Sequence, residues 1–159
     1  MGKVFYNSKL AKLLLFSSYS TIMLFGFIFT KKDSLRPSTL RHEMIHVEQY
    51  KECLTAFIFP FALFAVFNSF WWILIYPLMY YIMYGVEWLI SFIYNICKNI
   101  FIKEKLSLSE INNKAYHTLA FEMEAYDNEG KEDYLETRKG FAFIKSVSYT
   151  HLRAHETDQ

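Results

Sequence analysis

From Cys53 to Cys97 the chain carries neither lysine nor arginine, and Glu87 is its one charge. A core helix of a water-soluble protein keeps a polar stripe, and this stretch has almost none, so it reads as a segment that enters lipid. It is too long for one span at 1.5 Å per residue, and Asn68-Ser69 interrupts it near the middle. The expected form is a helical hairpin, with one arm from Leu54 to Phe67 and the other from Phe70 to Asn95. The first arm, at about 14 residues or roughly 21 Å, is shorter than a ~30 Å hydrocarbon core. It either continues a preceding helix or dips into one leaflet, and Pro60 and Pro77 should bend the arms. Aromatic residues support a chain that meets lipid: 16 Phe, 12 Tyr and 3 Trp make up 19% of it.

Charge sets the orientation and excludes one partner class. Seventeen basic residues against 16 acidic ones offer no excess for nucleic acid. Lys31, Lys32, Arg36, Arg41 and Lys51 precede the hairpin, Lys98, Lys103 and Lys105 follow it, and its tip has no positive charge. The positive-inside tendency puts both ends on the cytoplasmic side. Cys53 and Cys97 make neither a disulfide framework nor a thiolate metal site, and are expected as buried free thiols.

Just before the hairpin lies Arg41-His42-Glu43-Met44-Ile45-His46. Residues four apart share one face of a helix, so His42 and His46 can address a single ion. Glu43 lies about 100° further round, where it can act on water without being a ligand. Two imidazoles, a carboxylate base and an open coordination position suit a Zn²⁺ hydrolase. A chance occurrence of this pattern is expected roughly once in a few hundred chains of this length. Pro37 suits the first turn of this helix. Ser38, Thr39, His42, Ile45, His46, Gln49 and Cys53 cluster on one side. Leu40, Met44, Val47 and Leu54 form an apolar back, so the histidines are expected to face away from the core.

The third ligand should come from the helix that follows the hairpin. Ser107-Leu108-Ser109-Glu110 has the spacing of a capping box, and Gly130 can close the helix. One stripe holds Leu108, Ile111, Ala115, Leu119, Glu122 and Tyr126. Glu122 is then an inward carboxylate, costly to bury unless a metal ion compensates it. Glu124, roughly 200° away, is expected at the surface. Tyr126, Tyr116 and His117 are candidate oxyanion donors by nearness to Glu122 in sequence.

The remaining segments frame this site. Residues 13–29 read as a membrane helix or, in favour, as a strand over Thr21–Thr30, which would give a peptide substrate an edge to lie along. Lys131–Lys139 reads as a short polar helix ended by Gly140, with Phe141–Ile144 packing back as a strand or apolar tail. Residues 148–159 read as a non-native or disordered tail, leaving 1–147 as one domain. The fold class is mainly α with a small β element.

Two blocks carry a family resemblance. Arg41–Gln49 together with Phe121-Glu122-Met123-Glu124-Ala125-Tyr126 resembles the gluzincin zinc metallopeptidases, including their membrane-bound branch. In that branch the third ligand opens a Glu-x-x-Ala-Asp segment, matched here at Glu122 and Ala125, with Tyr126 in place of the Asp. Residues 20–145 also resemble a family of short, uncharacterised bacterial proteins with the same blocks. The resemblance implies a membrane-associated metallopeptidase of the bacterial inner membrane acting on a peptide or protein. Its ligands would be His42, His46 and Glu122, with Glu43 as general base. The competing expectation is a catalytically silent membrane protein that uses zinc for structure or partner binding.

Overall fold

The computed structural model describes residues 2–16, 19–102 and 106–146, so residues 148–159 lie outside the described part. The described chain is mainly helical with one small sheet. Ser8 caps a short first helix, α1 (Lys9–Leu14), by accepting the Ala11 N–H. The expected single strand is two strands, β2 (Thr21–Leu24) and β3 (Phe27–Thr30), paired antiparallel as a hairpin. The turn residues Phe25 and Gly26 have φ of 52° and 80°, both positive as a two-residue hairpin turn of type I′ requires. The Phe25 N–H donates to the Tyr81 hydroxyl at 2.6 Å, which helps hold a bulky residue in that unusual conformation. With β1 (Val4–Phe5) parallel to β3, the strand order is β1-β3-β2, and β2 is an edge.

Pro37 opens α2 (Pro37–Phe67), where its missing N–H leaves no partner wanting. This 31-residue helix, about 46 Å long, runs through Pro60 without a break. The first arm of the hairpin is therefore the outer half of the metal helix. The second arm differs from the expected one: α3 (Trp72–Ile75) and a 3₁₀ turn at Tyr76–Leu78 precede α4 (Met79–Ile102). Pro77 sits in that turn. The hairpin is closed by Phe61 and Phe64 against Trp72, and by the Tyr76 hydroxyl donating to the Leu54 carbonyl at 2.7 Å.

Beyond the hairpin α4 continues past the metal helix and pairs with α5 (Leu108–His117). Trp88 Nε1 donates to Asn112 at 3.1 Å, and Ser91 and Thr118 share a 2.7 Å hydroxyl contact. The Ser107–Glu110 capping box is present. The helix expected to run on to Gly130 instead breaks at Thr118-Leu119, and α6 (Ala120–Asn128) begins anew. Each end made by the break gains a polar partner: the Thr118 hydroxyl donates to the Lys114 and Ala115 carbonyls, and Glu87 accepts the Ala120 N–H. A short helix, α7 (Tyr134–Thr137), follows, and Phe141–Ile144 folds as a helical turn. Phe143 returns to the core and stacks on Phe121 at 4.5 Å.

The core gathers Met23, Ile28, Met44, Val47, Tyr50, Cys53, Tyr80, Phe121 and Phe143 beneath the inner half of α2. The outer surfaces contrast with it. α2 and the helical run Trp72–Ile102 are each long and apolar enough to cross a membrane. Only 11% and 6% of their most apolar windows are buried, so these windows do not form the protein's own core. Phe67 and Phe101 are more than four-fifths exposed. Cys53 is buried, whereas Cys97 is exposed on α4, contrary to the expectation for both thiols.

Candidate metal centre

His42 and His46 project from the inner half of α2 toward Glu122 on α6, and all three are buried. The helix does not have one core-facing back. Met44 and Val47 are buried on one side and His42, His46, Gln49 and Cys53 on the other, because α6 and α4 cover the histidine face. The two Nε2 atoms stand 3.1 Å apart. The Glu122 oxygens lie 3.4 Å from His42 Nε2 and 3.4 Å from His46 Nε2. Donors held at ~2.0–2.1 Å around a tetrahedral ion stand roughly 3.3 Å from one another, close to these separations.

Hydrogen bonding shows why such a group wants a cation. Gln49 Nε2 donates to the Phe121 carbonyl at 3.0 Å and to Glu124 Oε2 at 3.1 Å, both acceptors. The amide is thereby oriented, and its Oε1 faces His46 Nδ1 at 2.8 Å. His46 donates from Nδ1 to this oxygen, so in its neutral form, the one that binds a metal, the lone pair lies on Nε2. Across the site His42 Nδ1 lies 3.0 Å from Glu129 Oε2, again an acceptor. His42 Nε2, His46 Nε2 and the Glu122 carboxylate therefore converge on one point, where a cation can take the place of a shared proton. Glu122 Oε2 has no hydrogen-bond partner although it is buried. A metal ion satisfies all of these donors at once, and the residues present fit one.

Glu122 is held in its charged form. Burial alone would raise its carboxyl pKa, but the imidazoles of His42 and His46 and the Tyr84 hydroxyl hold it well below the usual range. Tyr84 donates to Glu122 Oε1 at 2.7 Å. The Tyr126 ring lies edge-on to His42 at 4.7 Å. The carboxylate that meets the histidine comes from Glu129, whose backbone carbonyl is gripped by Arg41.

Glu124 corrects the surface assignment. It is 2% exposed, and it accepts from Gln49, from Tyr134 at 2.9 Å and from Arg138 Nε at 2.6 Å. Arg138 also pairs through its fork with Glu52, whose Oε1 takes the Phe141 N–H at 2.8 Å. Helix phase missed this because the C-terminal segment folds over the far side of α6. No local signal tied Arg138 to the site. Gln49 did carry one, standing three residues after His46 on the histidine face.

A cavity of about 290 Å³ opens onto the three ligand residues and Glu43. Its other walls come from β2 and the segment before it (Leu15, Tyr19, Thr21–Leu24), and from Tyr80, Tyr81, Tyr84 and Tyr116. Glu43 is half-buried at this wall, on the same helix as both histidines. Tyr116 reaches the cavity, and burial together with nearby Glu122 raises its pKa, so it remains a neutral phenol. His117 is exposed, edge-on to Tyr116 and tilted against Tyr126, and is not part of the cavity wall. Comparison of the chain with protein-family models, with curated proteins and with solved structures returns no match.

Proposed function

We propose that the chain is a membrane-associated zinc metallopeptidase. The observation that carries this reading is the convergence of His42, His46 and Glu122 beside Glu43 at a cavity bordered by an edge strand. Among the described residues three protein donors converge, which leaves a coordination position open as in hydrolytic zinc sites, whereas structural sites close with four. This favours catalysis over a silent zinc site. Nitrogen and oxygen donors without thiolate suit Zn²⁺. When bound, the ion would polarise a scissile carbonyl and bring the pKa of water toward 7.

The chain's own residues supply the rest. Glu43 takes a proton from water in the cavity and passes it to the leaving amine. Tyr116, a neutral donor at the cavity wall, stabilises charge that develops on the carbonyl oxygen. An extended peptide adds along the free edge of β2, with backbone hydrogen bonds giving affinity. The exposed apolar hairpin and α4 contact lipid, and the flanking lysines and arginines favour a cytoplasmic site. Purified protein with quenched peptide substrates tests the reading. Cleavage should require zinc, and Glu43→Gln should keep the metal and lose hydrolysis. Glu43→Gln as active as wild type contradicts it.

A further inference from the structure

We propose that Arg138 is a positioning residue for the metal site, acting on His46 through Glu124 and Gln49. This inference rests on the metal-site reading above. An amide side chain has nearly the same shape when its oxygen and nitrogen exchange places, so packing alone does not orient Gln49. Its orientation follows from its two acceptor partners, the Phe121 carbonyl and Glu124 Oε2. The reversed amide would present N–H groups to His46 Nδ1, favouring the tautomer whose proton sits on Nε2, where a metal ligand needs its lone pair.

Glu124 is held where it can orient Gln49. Arg138 contacts both of its oxygens, Nε to Oε1 at 2.6 Å and Nη2 to Oε2 at 3.1 Å, while Tyr134 donates to Oε1 at 2.9 Å. The guanidinium is anchored in turn on Glu52, six residues after His46 on α2. The planar fork thus ties α2 to α6 on the side of Gln49 away from the histidine. A lysine there keeps the charge and loses the fork. A purely structural clamp would stabilise the fold without acting through Gln49, and that difference is measurable.

The test uses the full chain in detergent, with zinc affinity and the visible spectrum of bound cobalt(II) as readouts. Arg138→Lys should stay folded, weaken zinc binding by roughly 10-fold and alter the cobalt spectrum. In a Gln49→Leu background the same change should cost less than about 2-fold further, since the route to His46 is already cut. Glu52→Gln, a milder loosening of the same fork, should repeat the pattern at smaller size and serves if Arg138→Lys does not fold. Unchanged affinity and spectrum in folded Arg138→Lys overturn the inference, as do losses that multiply in the double variant. A wild-type chain that takes up no cobalt or zinc instead removes the metal reading itself.

Discussion

Glu87, the one charge between Cys53 and Cys97, accepts the N–H of Ala120 at 2.7 Å. That contact starts α6 at a fixed point on α4, two residues before Glu122, which faces the histidines of α2. A carboxylate at a helix N-terminus also meets the positive end of the helix dipole. The isolated acid in the apolar stretch therefore serves the site by placing Glu122. Glu87→Ala should lower stability by about 1 kcal/mol and weaken metal binding as α6 loosens. Thermal unfolding and zinc competition on the same preparations check both effects.

Tyr84 reaches Glu122 from α4, so the carboxylate is oriented from outside its own helix. Tyr84→Phe keeps the ring that stacks on Phe121 and removes only the hydroxyl. Zinc affinity should fall by roughly 10-fold with the circular dichroism spectrum unchanged. An affinity equal to wild type would show that Glu122 needs no such support.

The hairpin tip should lie in lipid. Trp71 is 70% exposed and sits among exposed Phe67 and Phe70. In vesicles containing brominated lipid, tryptophan fluorescence should be quenched, and a Trp71→Leu variant should lose part of that quenching. Trp88, bonded to Asn112, should be quenched less. Equal fluorescence in brominated and ordinary vesicles would place the tip in water.

How much could be read ahead follows from where the determining contacts lie. His42, Glu43 and His46 are set by the phase of one helix, whereas the stripe expected to carry Glu122 is inward only in part: Ile111, Ala115 and Leu119 are buried, Leu108 and Tyr126 are exposed, and the helix breaks before Glu122. Glu124 was lost to the same reasoning, which takes a helix to have one buried face. α6 is covered on two sides once Arg138 and Phe143 fold back, and that return is set by contacts distant in sequence. The break at Thr118-Leu119 was hidden because its capping carboxylate comes from Glu87 on another helix. In sequence the β-hairpin reads as one strand because Phe25, an unusual residue for a left-handed position, stands beside Gly26 in the turn.

His42, His46 and Glu122 together offer the donors for one metal ion. Metal analysis of the purified chain and of Glu122→Ala tests this most directly, with Glu124→Ala alongside. The wild type should carry one zinc per chain, Glu122→Ala should carry almost none, and Glu124→Ala should bind with reduced affinity. A wild type without stoichiometric metal, or a Glu122→Ala chain that keeps its zinc while Glu124→Ala loses it, contradicts the account.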